Sequence, residues 1–584
     1  GQDVLAILPT GGGKSLCFQL PALMRPGLTV VISPLIALMR DQVRALKEAG
    51  VSAGALTSAN TEDENTEVFD ALHKGDLKLL YMAPERLAAG GTDRMLAHAG
   101  VTLLAVDEAH CVSQWGHDFR PDYLRIGALR RALDVPLAAF TATADAETRD
   151  EIAARLFGGD EPTVFLGGFD RPNIHLAFAA KDKPREQILN FAAARKGQSG
   201  IVYCGTRAKT ETLAKAMCDA GHSALAYHGG MEPDQRREVE RRFQVDDDLV
   251  VVATIAFGMG IDKPDIRWVA HADLPKSIEA YYQEIGRAGR DGAPAETLTL
   301  FGADDIRFRR MQIDEGLAPP ERRMADHGRL NALLGLAEAH KCRRLNLLSY
   351  FGESPEPCGT CDLCDTPPET FDGTQAVRKA LSAILRTGEM FGAGHLTDIL
   401  VGNQTDKVCQ RGHDDLPTFG VGKDIDRRTW GAVFRQMMGQ DLVRPDPERH
   451  GGLRMTDAAR PILRGEASIT LRKDTMKPGR RPVAKTLVND EDAPLLSALK
   501  AKRRALAENA RVPAYVIFND RTLIEMAETR PSSMDEMAGI TGVGAKKLER
   551  YGADFLEIIT GEAEAVAHPV RRKLAGRAAG ETYD

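Results

Sequence analysis

Val4-Leu5-Ala6-Ile7-Leu8-Pro9-Thr10-Gly11-Gly12-Gly13-Lys14-Ser15 runs from a short apolar stretch into three glycines, a lysine and a hydroxyl, and helical periodicity starts just beyond. A strand that feeds a helix through a glycine loop is a phosphate-cradling arrangement. Glycines let backbone N–H groups close around an anion at the helix N-terminus, where the helix dipole favours negative charge. Lys14 then supplies a point charge to the β- and γ-phosphates of ATP, and the Ser15 hydroxyl can ligate Mg²⁺. Thr10, Gly11, Gly12 and Gly13 form the rest of the cradle. Leu8 stands where the strict eight-residue pattern has its first glycine, so the reading rests on the strand context and on Gly13-Lys14-Ser15.

Working outward, short apolar runs recur at Thr29–Ser33, Leu79–Ala83, Leu103–Asp107 and Ala138–Thr141, separated by longer helical patterns. That rhythm predicts a parallel sheet with crossover helices. It restarts after Gly168-Phe169-Asp170-Arg171-Pro172, with strands expected at Ile201–Cys204, Leu249–Ala253, Trp268–Ala270 and Thr297–Phe301. Two α/β lobes follow, 1–165 and 166–302.

The first lobe carries Val106-Asp107-Glu108-Ala109-His110 at the end of a buried strand, where carboxylates are expensive to bury without a task. Asp107 is expected to hold Mg²⁺ and Glu108 to orient or deprotonate the attacking water, the division of labour phosphoryl transfer requires. The second lobe carries Gln283-Glu284-Ile285-Gly286-Arg287-Ala288-Gly289-Arg290. Arg290 is read as an arginine finger and Arg287 as a further phosphate contact, so the site is complete only when the lobes close.

The 584 residues call for several cores, about three to five domains at roughly 100–200 residues each. No apolar run approaches the roughly 18–20 residues that span a bilayer, and the first residues lack the features of a secretory signal. The expectation is a cytoplasmic protein without membrane contact. The net charge of −7 gives no global attraction to nucleic acid, so DNA contact must come from local basic surfaces. One candidate gathers Arg307, Arg309, Arg310, Arg322, Arg323, Arg329, Arg343 and Arg344; another gathers Arg472, Lys473, Lys477, Arg480, Arg481 and Lys485. Taken alone, each is more often a solvated face.

Beyond residue 303 the pattern is helical up to four cysteines, Cys342, Cys358, Cys361 and Cys364, ending at Pro367-Pro368. Four thiolates satisfy tetrahedral Zn²⁺ with no open position, so this unit, 303–368, is read as a structural zinc subdomain. From 369 to 470, helices precede Leu442–Pro445, a turn-prone Asp446–Gly452 and Leu453–Thr456. Helix then hairpin fits a winged helix. Residues 471–486 read as a linker, 487–562 as an all-helical domain, and 563–584 as a disordered tail.

These residues resemble superfamily 2 helicases, and within them the RecQ family, over nearly the whole chain. The most specific segment is Cys111-Val112-Ser113-Gln114-Trp115-Gly116-His117-Asp118-Phe119-Arg120-Pro121, similar to that family's aromatic-rich loop. The resemblance implies two RecA-like lobes. It also implies that His110, Gln114, Trp115, Phe119 and Arg120 sense single-stranded DNA, with stacking worth about 1–3 kcal/mol per base. Ser33-Pro34-Leu35 and Pro84-Glu85-Arg86 resemble DNA-backbone contacts. Thr141-Ala142-Thr143 resembles the motif coupling ATP to DNA, and Thr254 to Asp262, with Gly260 and Asp262, resembles one touching both ligands; Gln283 joins the nucleotide contacts.

Cys342-Arg343-Arg344 with Ser349-Tyr350-Phe351-Gly352 resembles the family's zinc domain, and the unit after it the family's C-terminal winged helix, with His450 at the hairpin tip as a stacking candidate. Val512 to Phe518 and Ile540 to Gly544 resemble the helical HRDC module, with Lys502 and Tyr515 as single-strand contacts. The implied activity is ATP-dependent 3′ to 5′ unwinding of tailed or forked DNA in recombination, repair and replication, in the bacterial nucleoid. Implied partners are single-stranded and forked duplex DNA, single-stranded-DNA-binding protein, and recombination or topoisomerase proteins. The rivals are a DNA-stimulated translocase, an RNA helicase and a non-enzymatic DNA-binding scaffold. The family reads adenine with an aromatic and a glutamine upstream of the phosphate loop, and this sequence opens at Gly1 beside that loop's strand, so weaker or less adenine-selective nucleotide binding is expected of it.

Overall fold

Each alternating run becomes a strand whose two faces are covered by helices. The computed structural model describes residues 2–567 apart from 59, 89–90, 114–118, 145, 259–262, 317, 447–451, 474–487, 490 and 511. In the first lobe these are β1 (Val4–Ile7), β2 (Leu28–Ile32), β3 (Ala53–Leu56), β4 (Leu79–Met82), β5 (Val101–Val106), β6 (Leu137–Thr141) and β7 (Thr163–Leu166). They lie in the order β3-β4-β2-β5-β6-β1-β7, every pair parallel. Period-two alternation sends Val30, Ile32, Leu104 and Val106 to one face and Val31, Ala105, Phe140 and Tyr81 to the other, and both sets are buried.

The second lobe repeats the plan with β8 (Ile174–Ala180), β9 (Gly200–Tyr203), β10 (Ala224–Tyr227), β11 (Val250–Ala253), β12 (Trp268–His271) and β13 (Ala295–Phe301). Their order is β10-β11-β9-β12-β13-β8, again all parallel. Four of these thirteen strands, β3, β7, β8 and β10, were not among the apolar runs that predict the sheets. β3 is Ala-Gly-Ala-Leu, which has little strand propensity; it is strand because its backbone pairs with β4, Ala53 opposite Leu79 through Leu56 opposite Met82, and Val68 packs so closely that its methyls would stand 3.1 Å from any Cβ on Gly54.

Helices Ala303–Asp314, Pro320–Ala337 and Arg343–Tyr350 lead to the cysteine cluster. Here the first basic patch dissolves: Arg310, Arg329, Arg343 and Arg344 are buried. They are spent on internal partners, Arg329 on Glu279 at 3.3 Å and Arg343 on Asp362 at 2.9 Å. Half of that stretch is therefore scaffold, and its charge cannot be summed into a DNA-binding surface.

In the next unit, helices Thr374–Arg386, Ala393–Val401 and Arg427–Gly439 pack around buried Trp430. A short strand β14 (Thr370–Asp372) opens it, and β15 (Val443–Asp446) pairs antiparallel with β16 (Gly452–Met455), the expected hairpin. The linker boundary needs correcting: β17 (Thr470–Arg472) pairs with β14, and Leu471 is fully buried, so the folded unit runs past 470. The Arg472 side chain reaches Glu338 at 3.2 Å rather than standing in a solvated basic stretch.

The last domain has its own core, with Leu499, Phe518, Leu523 and Phe555 at its centre. Its final helix spans Ala545–Ala567, and the tail is expected from 563. No helix among the described residues is long and apolar enough to cross a membrane.

The β17 assignment is open to test. Leu471→Ala should remove about 2–5 kcal/mol of local stability, the range for emptying a buried leucine site. Native-state hydrogen exchange of 370–386 is the readout, and a linker leucine would leave that protection unchanged.

Candidate functional site

β1 delivers the chain to the phosphate loop at the C-terminal edge of the sheet. Gly11 and Gly13 sit at φ 81° and 76°, a region only glycine enters without strain, and a Cβ on Gly12 would meet the Pro9 carbonyl at 2.9 Å. Helix Lys14–Met24 starts there with Gly13 as its cap and no side chain closing its first-turn N–H groups. Lys14 Nζ lies 3.4 Å from the Leu8 and Pro9 carbonyls, folded over the loop.

β5, two strands away, ends at Asp107, whose N–H donates to the Ile32 carbonyl at 2.8 Å. Ser33 Oγ donates to Asp107 Oδ2 at 3.3 Å and the Glu108 N–H to Oδ1 at 3.0 Å. Ser33 is thus buried against the carboxylate, although its segment reads as a DNA-backbone contact. Burial first, and the charge of Glu108 second, push the Asp107 carboxyl up to about 7, against the opposing pull of Lys14, the Glu108 N–H and Ser33. Glu108 itself holds φ 49°, an uncommon value for a side-chain-bearing residue, which marks the turn as held in place by its surroundings.

A polar relay leaves this turn. His110 Nδ1 is 3.3 Å from Glu108 Oε2 and 2.9 Å from Thr141 Oγ1. The Thr143 N–H donates to Thr141 Oγ1 at 3.2 Å, and Gln283 Nε2 of the second lobe donates to Thr143 Oγ1 at 3.3 Å. The relay thus crosses the lobes and ends on helix Ile278–Ile285, directly before Arg287 and Arg290.

Those arginines face the loop. A Cβ on Gly11 would stand 3.4 Å from Arg290 Cγ, and one on Gly286 3.0 Å from Thr10 Cβ. Arg287 donates to the Gly258 carbonyl. Between the lobes lies a cleft of about 460 Å³ lined by Lys14, Ser15, Asp107, Glu108, Arg287 and Arg290. Hydroxyl and carboxylate oxygens are the donors Mg²⁺ takes, and a divalent cation held there would offset the burial of the Asp107 carboxylate.

Sequence reading missed Arg171, which sits in the interlobe punctuation and bonds both walls of the cleft. It also did not anticipate that Tyr515 would line the nucleotide cleft, its hydroxyl 3.1 Å from Gln244 Oε1 of the second lobe. The last domain is held there by a buried ion network: Arg503 reaches Asp520 at 3.0 Å, Asp247 at 3.3 Å and Asp265 at 3.8 Å. Lys502 pairs with Asp554 at 2.7 Å. Phe119 and Arg120 are half-buried, with Arg120 Nη1 3.1 Å from the Pro34 carbonyl. Gln114, Trp115, Gly260, Asp262 and His450 lie outside the described residues.

The four cysteines converge, every sulfur within 4.8 Å of the others, and Cys342–Cys358 and Cys358–Cys364 at 3.5 and 4.0 Å. Zn–S bonds of about 2.3 Å in a tetrahedron require S···S near about 3.8 Å, so the set fits zinc. N–H groups of Arg343, Cys358 and Thr360 point at the sulfurs from 3.3–3.4 Å, the outer-shell support thiolates use.

A phosphate loop, a buried Asp-Glu pair and arginines arriving from a second RecA-like lobe define a two-lobe nucleotide-driven motor. Comparison with known proteins narrows the class. Family models match in order: DEAD/DEAH box helicase at 1–152, helicase conserved C-terminal domain at 183–292, RecQ zinc-binding at 303–365, RQC domain at 367–480 and HRDC domain at 492–559. The ATP-dependent DNA helicase RecQ of Pasteurella multocida is 43% identical, covering 96% of this chain and 89% of its own. That of Haemophilus influenzae is 43% identical, over 96% and 91%, and that of Bacillus subtilis 39%, over 96% and 93%. The chain belongs to the RecQ helicase family, and its four-cysteine cluster is that family's zinc site.

Two outcomes are expected here. Chelation, or Cys361→Ala, should unfold 303–368 while the lobes persist, since structural zinc contributes of order 10 kcal/mol to folding; circular dichroism and proteolysis would show it, and an unchanged digestion pattern would count against a structural site. Arg503→Ala removes the buried cation that joins Asp520 of the last domain to Asp247 and Asp265 of the second lobe, and should cost about 3–5 kcal/mol at the domain contact. Faster cleavage within 474–490 is the readout, and wild-type cleavage would contradict the docking.

Proposed function

We propose that this chain is an ATP-dependent DNA helicase that separates duplex strands by cycling its two lobes between closed and open states around ATP. The observation that carries the proposal is the convergence of Lys14, Asp107, Glu108, Arg287 and Arg290 on one cleft built from two lobes. Lys14 and the loop N–H groups hold the phosphates; Glu108 orients the attacking water and accepts its proton; Arg290, with Arg287 behind it, meets charge that develops on the transferring phosphoryl group. Ser15 and Asp107 would hold Mg²⁺, which would supply positive charge against the phosphates. Hydrolysis removes the anion both lobes grip, so the lobes part.

DNA is coupled to this cycle through neighbours of the cleft. Arg120 is tied to the segment after β2, and the His110–Thr141–Thr143–Gln283 relay joins the Asp-Glu turn to the arginine-bearing helix, so a strand pressing on the 111–121 loop can alter the contacts of Glu108. Opening a base pair costs about 1–2 kcal/mol. The winged unit is given the role of gripping the duplex ahead, and the direction, both by family likeness, is 3′ to 5′. Four of the nine cysteines gather as a zinc site, chemistry that suits a reducing compartment beside chromosomal DNA. Single-strand-binding, recombination and topoisomerase proteins are the partners such a role would bring.

The test is ATP-dependent unwinding of 3′-tailed and 5′-tailed duplexes beside Lys14→Ala, Glu108→Gln and Arg290→Ala. The 3′-tailed duplex alone should open. Glu108→Gln should lose about 10²–10⁴ in kcat while still binding ATP, and Arg290→Ala roughly 10³–10⁵. DNA-stimulated hydrolysis without strand separation would replace this reading with a translocase, and stronger stimulation by RNA with an RNA helicase.

A further inference from the structure

Arg171 lies in neither lobe's sheet, yet it bonds to both walls of the nucleotide cleft. Its Nη1 donates to the Thr10 carbonyl of the phosphate loop at 2.6 Å and to the Gly286 carbonyl at 3.3 Å. Its Nη2 donates to the Ala288 and Gly289 carbonyls at 3.0 and 2.8 Å. These acceptors are neutral carbonyls, three of them the backbone that carries Arg287 and Arg290. A Cβ on Gly11 would stand 3.5 Å from Arg171 Nη1 and 3.4 Å from Arg290 Cγ, so both arginines lie against the phosphate loop, and burial lowers the Arg171 pKa, with the Arg290 charge lowering it further.

The segment carrying Arg171 is fixed from behind. The Phe169 N–H donates to Glu353 Oε1 at 2.5 Å, and the Phe169 ring stacks on Phe351 with centroids 4.6 Å apart. Asp170 pairs with Arg344 at 3.0 Å, and Tyr282 donates to the Phe169 carbonyl at 2.9 Å. Asn173 donates to the same Gly289 carbonyl at 2.8 Å. Only a planar fork of N–H groups spans carbonyls this far apart; a lysine ammonium is a point and reaches one side.

We propose that Arg171 is the positioning residue that clips the Gly286–Arg290 segment to the phosphate loop, setting where Arg290 stands when the lobes close, without itself touching ATP. The inference rests on the role given to Arg290 above. The segment, anchored to the zinc subdomain, thereby fixes the finger's reach from outside the two sheets.

The experiment compares Arg171→Lys and Arg171→Ala with Arg290→Ala in DNA-stimulated ATP hydrolysis. Both Arg171 variants should lose about 10–100-fold in kcat, the cost of roughly an ångström of misplacement. KM for ATP, nucleotide binding and single-strand binding should hold, and millimolar guanidinium should restore part of the rate to Arg171→Ala. Wild-type kcat in Arg171→Lys, a loss carried by KM with kcat intact, or absence of guanidinium rescue in a folded Arg171→Ala would each overturn the clip. If Arg171→Ala melts early, Arg171→Lys decides alone. Undiminished hydrolysis by Arg290→Ala would overturn the finger itself; its loss beside an unaffected Arg171→Lys would overturn only the positioning role.

Discussion

Everything in this molecule is arranged around one electrostatic demand: a polyphosphate must be gripped by positive charge from two bodies at once. One lysine and a ring of N–H groups belong to the first sheet, and the arginines belong to the second. On the proposed mechanism neither half is a competent site, because an oriented water and a stabilised leaving phosphate need both. Glycines at 11 and 286 let the two walls of the cleft approach to near contact, and Arg171 spans what remains. A cleft built this way turns the presence or absence of one anion into a rigid-body movement, which is what a motor requires.

The accessory units are explained by the same demand. The zinc subdomain packs against the interlobe segment through Arg344, Phe351 and Glu353, so the small domain stabilised by metal steadies the junction about which the lobes move. The last domain reaches the other side of the cleft. Its buried Arg503–Asp520 network is balanced by carboxylates of the second lobe, an arrangement that favours one docked pose over many. Tyr515 thereby lines the nucleotide cleft.

Much of this is legible from residues alone, for identifiable reasons. The phosphate loop, the Asp-Glu turn and the cysteine cluster are local patterns whose chemistry depends on spacing, and spacing survives in a sequence. Central strands such as β2 and β5 announce themselves as continuous apolar runs because both faces are covered. β3 does not, since its small residues carry little strand signal and its place in the sheet comes from backbone pairing with β4. The arginines of 307–344 mislead for the opposite reason: a charge that looks like surface can be buried when a partner from elsewhere neutralises it, and Glu279 and Asp362 do so here. Arg171 escapes notice because its acceptors are backbone carbonyls, which no side-chain pattern records.

The most direct test of the central claim is the distance between the lobes. Spin labels on Glu67→Cys in the first lobe and at Cys218 in the second, with Cys17 and Cys409 replaced by serine, sit on exposed helices away from the cleft. Dipolar spectroscopy should show a broad distribution without ligands that collapses to one short distance with a non-hydrolysable ATP analogue and single-stranded DNA, and it should stay broad in Arg290→Ala. A distribution that ignores nucleotide would contradict a site completed by lobe closure.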